Sequence, residues 1–487
     1  MEEAHMKQRV LEGLQPERAL YYFEEICKIP HGSRNTKQIS DYLVSFAKAR
    51  GLRCVQDALN NVVIYKDGTP GYENHPVTIL QGHMDMVAEK TKDSPIDFTK
   101  DPLALRTDGA YIWAEGTTLG GDDGIAVAYA LAILDAKDIP HPPLECVFTV
   151  DEEIGMEGAT GLDPALLKGR VFLNCDSEAE GILTVSCAGG ARSDLTLPVE
   201  FEKAEGQGVH IYVDGLLGGH SGAEIHKGRA NANKLMGELL ARLLERHPYR
   251  LVYVRGGQKD NAIPRDSAAK IIVEPSSLEE TLSAIELIAK EVLSQIPEAE
   301  NAARIDTELC PCRGSALTPE ATRMAVGLLH DVPNGIQAWS KDIEGLVQTS
   351  LNLGILKTEG EQLSMSFSVR SSVNQEKLEL FRRIKAVGAR YGAAYGEHGN
   401  YPAWEYRKDS PLRELMVRVF EEQYGRKPVV EAIHAGLECG LFSDKLPGLD
   451  AVSFGPDMQD IHTTRERLSV ASADRTWKYL LAVLEKL

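Results

Sequence analysis

Apolar residues in this chain come in short runs that end abruptly in polar ones. PVTILQGHMDMV (76–87) is apolar for much of its length and breaks into His and Asp. LECVFTVDEE (144–153), RVFLNCDSE (170–178) and AVSFGPDMQDIH (451–462) repeat the pattern. Short apolar runs bounded by polar residues read as buried strands. GIAVAYALAILDA (124–136) follows a Gly-rich turn and is rich in good helix formers. Strands alternating with helices predict an α/β fold with a mixed, mostly parallel sheet flanked by helices. In open sheets of this kind ligands bind at the carboxyl edge, and the polar residues fall there.

The stretch from about Gly190 to Tyr401 reads differently. GVHIYVDG (208–215) alternates like a half-buried strand, and ANANKLMGELLARLLER (230–246) and LEETLSAIELIAKEVL (278–293) are amphipathic helices. RLVYVRGG and AAKIIVE are strand-like segments between them. A second round follows: PEATRMAVGLLHD as helix, GIQAWS, LVQTSLNLGILK and QLSMSFSVRSS as strands, then another helix. This predicts an inserted α+β domain of two similar halves. The 487 residues exceed the size at which one core stops growing, about 250–300 residues. The expected division is one domain made of 1–189 and 402–487, with an inserted domain at 190–401.

Charge narrows the function. With 72 acidic and 53 basic residues the formal net charge is −19, which repels nucleic acid and anionic lipid, so neither is expected as a partner. There is no uninterrupted apolar stretch of about 18 residues to cross a membrane. MEEAHMKQRV at the start is acidic and lacks an apolar segment, so a cytoplasmic location is expected. The eight cysteines are scattered apart from Cys310 and Cys312 and read as reduced packing residues, since one C-x-C does not make a zinc site.

Five residues carry the candidate chemistry: His83 in GHMDM, Asp122 in GGDDG, Glu153 in DEEIG, Asp176 in NCDSE and His462 in DIHTT. Two imidazoles and three carboxylates suit zinc, manganese or cobalt better than calcium. If one carboxylate bridges, two metals each gain one His and two carboxylates. Two metals about 3.5–4 Å apart can hold a hydroxide between them and polarise a carbonyl. Singly, each residue is ordinary: a lone His is commonly a surface or core residue, an acidic pair a solvated loop, and a Gly-rich turn a helix start. Two carboxylates inside LGGDDG also argue against phosphate binding there. Their shared place at strand ends makes the set informative.

The motifs GHMDMV, TTLGGDDGIAVAYALA, TVDEEIGMEGA, NCDSEAEG, GGHSGAEI, DNAIPR, HAGLECG and DIHTTRERL run in order through nearly the whole chain. In these it resembles the aminoacyl-histidine dipeptidases, or cytosol non-specific dipeptidases, of the co-catalytic zinc aminoacylase/carboxypeptidase superfamily. The resemblance implies a zinc-exopeptidase-like catalytic domain with an inserted lid. It also implies hydrolysis of unblocked dipeptides, Xaa-His among them, by a metal-bridged hydroxide. It makes Asp122 the bridge between two divalent ions, zinc by default with manganese or cobalt as alternatives. His83 and Asp176 then complete one site, Glu153 and His462 the other. Glu152 is implied as general base, and Asp85 as the group that accepts the second ring N–H of His83. A cis peptide at Asp122–Asp123 is implied as well. In the lid, His220 resembles an oxyanion-stabilising histidine. Asn261 and Arg370 resemble substrate-holding groups, and His434 and Gly436 pocket-lining positions.

Small lids in that superfamily donate their histidine across a dimer interface. This insertion spans about 210 residues, roughly twice one such α+β unit. The second half is therefore expected to stand in for a partner's lid and let His220 act within its own chain, whether or not the chain forms a homodimer. The competing enzyme readings are a related two-metal N-acyl amino acid deacylase or aminotripeptidase. A dinucleotide-binding oxidoreductase is disfavoured, because no strand leads into G-x-G-x-x-G.

Overall fold

The computed structural model describes residues 9–487, apart from the side chains of Pro311, Cys312 and Arg313. The first eight residues, used above for location, and the Cys312 side chain lie outside the described residues. By packing, the chain forms two units. One runs to Ser186 and takes up Tyr406–Ala432 and Leu437–Leu487; the other is Cys187–Glu405 with Ile433–Gly436. The short segment bearing His434 and Gly436 thus packs with the second unit, although the sequence reading assigned it to 402–487.

The first unit is built on an eight-stranded sheet. Its strands are β1 (Arg53–Gln56), β2 (Val62–Lys66), β3 (Thr78–His83), β4 (Leu144–Thr149), β5 (Val171–Asn174), β6 (Ile182–Cys187), β7 (Val429–Ile433) and β8 (Asp450–Ser453). They lie in the order β1-β2-β4-β3-β5-β8-β6-β7. The four central strands, β4, β3, β5 and β8, are mutually parallel, while β1–β2, β2–β4 and β8–β6 pair antiparallel. The apolar-run pattern has its cause here: β3 and β4 are buried at every position, as central parallel strands must be when both faces are covered. The helix Gly121–Asp135 is buried along its length up to Leu134 and packs on β3 and on the helix Glu17–Ile26. One continuous core includes Phe23, Tyr129, Phe148 and Trp477.

The second unit carries a nine-stranded antiparallel sheet. Its two halves each read strand-helix-strand-strand-helix-strand. One consists of Phe201–Asp214, Ala232–Leu244, Arg250–Gly256, Ser267–Val273, Leu278–Leu293 and Arg304–Leu317. The other is Gly189–Pro198, Pro319–Asp331, Val347–Glu359, Gln362–Ser371, Asn374–Arg390 and Ala394–Tyr401, with the ninth strand, Gly335–Trp339, added beside Val347–Glu359. In both, the strands lie in the order fourth, first, third, second, a split β-α-β unit. The halves join where Arg255 and Gly256 pair with Lys357 and Leu356. They are nested, not consecutive: Gly189–Pro198 comes first in the chain but pairs with Gln362–Ser371.

Seven cysteines are thiols rather than disulfides, five of them buried. Among the described residues no helix is long and apolar enough to cross a membrane.

Candidate active site

His83 ends β3, and its imidazole is fully enclosed. Nδ1 lies 3.0 Å from the main-chain carbonyl of Asp85 and 3.6 Å from its carboxylate. A carbonyl can only accept, so Nδ1 carries a proton. Asp85 was expected to accept this ring N–H, and its main-chain carbonyl is the nearer of its two acceptors. The carboxylate also accepts from Ser33 Oγ (2.8 Å) and from the Glu152 main-chain N–H (3.1 Å).

Asp122 stands between the two histidines. Oδ1 is 3.1 Å from His83 Nε2 and Oδ2 is 3.1 Å from His462 Nε2. Burial works to raise this carboxyl, yet the bonds to His462 and His83 hold it below the ordinary range. Gly120, in the left-handed region at φ 69°, turns the chain into the helix, and the Asp122–Asp123 bond is cis. Glu466 accepts the N–H groups of Leu119 (2.8 Å), Gly120 (3.2 Å) and Gly121 (2.8 Å). A buried carboxylate of the chain therefore fills the anion position at this helix N-terminus, where a nucleotide phosphate would sit in other folds.

Glu153 Oε1 is 2.9 Å from His462 Nε2, and Asp176 Oδ1 is 3.8 Å from His83 Nε2. Asp176 Oδ2 is buried with no hydrogen-bond partner. Donor atoms of His83, Asp122 and Glu153 lie within 4.8 Å of one another, as do those of His83, Asp123 and Asp176. All five predicted ligands thus converge at the ends of parallel strands and in the loops beyond, and Asp123, unassigned in the sequence reading, joins them. Glu152 lies beside them. Burial pushes its carboxyl up to about 8, reinforced by the charges of Glu438, Glu153 and Asp122 and opposed by His83.

These residues fit divalent ions. Buried carboxylates crowded together are costly unless positive charge offsets them. The donors are a nitrogen/oxygen mixture, and Asp176 keeps an unpartnered oxygen turned inward.

The second unit holds its own polar cluster. His220 Nδ1 accepts the N–H groups of Gly222 (3.2 Å) and Ala223 (2.9 Å), so its remaining proton sits on Nε2. Burial and the Arg370 charge keep this ring neutral to lower pH than usual. Asn261 is exposed, and its carbonyl accepts the Ser221 N–H at 2.9 Å. Arg370 Nε is buried without a partner, and Nη1 lies 3.3 Å from Tyr401 Oη. His434 Nε2 is 2.7 Å from Ser350 Oγ, and burial and Arg370 push its ring down to about 3. A Cβ at Gly222 would fall 2.7 Å from the His434 carbonyl oxygen and 3.0 Å from Arg370 Nε. One at Gly436 would fall 2.8 Å from the Tyr401 ring, so only glycine fits at either position. Thus His220, from the first half of this unit, lies on a loop packed against Arg370 from the second.

Ser33, Glu466, Ser350 and Tyr401 were not singled out in the sequence. Only Glu466 lay inside a noted motif, DIHTTRERL; the others carry no local signal.

Residues 79–486 match Peptidase family M20/M25/M40, and the chain belongs to that family of peptidases. It is 35% identical to the cytosol non-specific dipeptidase of Escherichia coli (strain K12), over 98% of this chain and 99% of that one. The crystal structure of aminoacylhistidine dipeptidase from Vibrio alginolyticus superposes with a TM-score of 0.95 at 35% identity, covering 99% and 98% of the two chains. Aminopeptidase PepT from Bacillus cereus shares the fold, with a TM-score of 0.55 at 15% identity over 97% and 99%.

Proposed function

We propose that this chain is a dipeptidase for unblocked dipeptides, Xaa-His among them, working with two divalent metal ions, zinc by default. The observation that carries the reading is the Asp122 carboxylate, with one oxygen 3.1 Å from each of two histidines. The identity with the Escherichia coli dipeptidase supports the substrate class. His83, Asp122 and Asp176 would hold one ion, and Asp122, Glu153 and His462 the other. Bound there, the ions would supply Lewis acidity and lower the pKa of water.

The chain's own groups do the rest. Glu152 takes a proton from the attacking water and returns it to the leaving amine. Asp85 fixes Glu152 through its main-chain N–H, and Ser33 in turn orients Asp85. His220 offers its Nε2–H to the developing oxyanion. Arg370, whose buried Nε lacks a partner, takes the terminal carboxylate, with Asn261, His434 and Gly436 shaping the space around the peptide. Since the His220 loop and Arg370 meet within one unit, we assign His220 to its own chain, homodimer or not. Mixing His220→Ala with a metal-site variant tests this: restored activity would contradict it. An acidic chain without a membrane-crossing helix among its described residues also fits the cytoplasm.

The test is a metal-stripped protein reloaded with zinc, manganese or cobalt. It is assayed on β-alanyl-histidine, α-dipeptides, a tripeptide, an N-blocked dipeptide and an N-acetyl amino acid. Metal-dependent cleavage confined to unblocked dipeptides is expected. Preference for the acetylated compound or the tripeptide would replace this reading with a deacylase or an aminotripeptidase. No turnover with any metal would end it.

A further inference from the structure

Beneath the candidate ligands lies a layer of polar side chains with no part in the chemistry above. Gln81 sits two residues before His83 on β3, on the same face of the strand. Asn174 sits two residues before Asp176 and pairs with Gln81 across the parallel ladder. Thr149 ends β4, pairs with His83 and precedes Glu152 and Glu153. From outside the sheet comes Glu438, in the first turn of the helix Glu438–Lys445. Glu438, Thr149 and Asn174 are wholly buried, and Gln81 is 3% exposed.

The hydrogen bonds among them have one consistent direction. Asn174 Nδ2 donates to Gln81 Oε1 at 2.6 Å. Gln81 Nε2 donates to Thr149 Oγ1 at 3.2 Å and to Glu438 Oε2 at 2.5 Å. Thr149 Oγ1 donates to Glu438 Oε2 at 2.7 Å. Every path therefore ends on one oxygen of Glu438, which accepts from two strands at once. A layer serving packing alone would do as well with apolar residues, because a buried polar group stabilises little beyond satisfying itself. Buried networks instead specify one arrangement. This one ties together the ends of the three adjacent strands from which His83, Glu152–Glu153 and Asp176 emerge.

We propose that Glu438 is a positioning residue for the metal centre: by accepting from Gln81 and Thr149 it fixes the ends of β3 and β4, with β5 joined through Asn174. This rests on the metal-centre reading above but not on the identity of the substrate. Groups that orient metal ligands typically change metal affinity or activity by about 10–100-fold when removed.

The test uses the full-length protein with cobalt(II) as probe, its affinity read by competition with a chromophoric chelator and its geometry by the visible absorption of the bound ion. Glu438→Leu is expected to weaken cobalt binding by about 10–100-fold and to alter the spectrum. Glu438→Gln, whose amide oxygen still accepts both bonds, is expected to stay within about threefold of the parent with an unchanged spectrum. Thr149→Val, nearly isosteric, removes one of the two donors and carries the test if the leucine variant does not fold; several-fold weaker binding is expected. Parent-like affinity and spectrum in Glu438→Leu or in Thr149→Val would overturn the proposal. So would a Glu438→Gln variant as impaired as the leucine one, because charge rather than hydrogen-bond acceptance would then be what matters. If the parent binds cobalt but leaves dipeptides intact, the substrate reading fails while these binding comparisons still decide the role of Glu438.

Discussion

The polar clusters of the two units are built on different plans. In the first unit His83, Asp122 and Asp176 are each less than one-tenth exposed, and only His462 of the two histidines on Asp122 reaches the surface. They spring from or just beyond the ends of buried strands and a helix start, and Asp85, Glu466 and the main chain hold their surroundings. In the second unit His220 and Asn261 are exposed, Arg370 is half-buried, and its nearest side-chain partner is Tyr401 at 3.3 Å. The first plan suits groups whose geometry must not vary, since rigid elements place side chains more accurately than loops. The second suits groups that meet substrates of varying shape. Chemistry should therefore fail completely when the first cluster is altered, and by degrees when the second is.

The sharpest test is Asp122→Ala, which removes the carboxylate shared by both histidines. Metal content should fall below two ions per chain, and kcat should fall on the order of 10³-fold or more. Metal analysis beside kinetics checks it, and a variant that keeps two tightly bound ions would break the contrast. Glu152→Gln should come next, with kcat lower by about 10²–10⁴-fold and metal content unchanged. Loss of metal in that variant would make Glu152 a ligand rather than a base. Arg370→Ala should cost less and show in a different parameter. KM for dipeptides should rise by about 10–100-fold, the worth of a charge-assisted hydrogen bond, with kcat changed far less. Dipeptide amides, lacking the terminal carboxylate, should respond little. A fall in kcat at constant KM would place Arg370 with the rigid cluster instead.

The same contrast explains what could be read from the sequence. The candidate ligands stood out because β3, β4, β5 and β8 are buried strands, so their apolar runs stop where the polar edge begins. Asp122 was legible through its Gly-rich turn ahead of a helix of good formers. Contacts between distant parts of the chain left no local trace. Glu466 bonds Leu119, Gly120 and Gly121 from more than 340 residues away, and Ser33 reaches Asp85 across 52. The period of the inserted strands and helices gave the two halves but not their nesting. Gly189–Pro198 finds its partner beyond residue 361, and no local pattern encodes pairing over that span. His220, Asn261 and Arg370 could be picked out only through the family resemblance, because a loop histidine, a loop asparagine and a charge at a strand end carry no period of their own.

The two plans also predict opposite responses to pH, the smallest of the expected effects. Burial raises Glu438 to about 7 from an ordinary 4.5, with His83 and the donors Thr149 and Gln81 opposing the rise. Between those values the folded chain holds a proton that the unfolded chain has lost, so the contribution of Glu438 to stability declines as pH rises from 4.5 to 7. His434 runs the other way: burial and Arg370 lower it to about 3 from 6.5. Between 3 and 6.5 the unfolded chain holds the extra proton, so stability gains as pH rises through that window. Relaxation around a newly charged group limits each effect to about 1–2 kcal/mol, or a few degrees of melting temperature for units of this size. Melting curves at pH 5 and 8 should show Glu438→Gln gaining a few degrees on the parent as pH rises. His434→Asn should lose ground over the same interval, because the parent recovers a penalty that asparagine never carried. If both variants kept a constant offset from the parent at the two pH values, neither buried group would titrate in its window, and the electrostatic side of the contrast would fall while the geometric side stood.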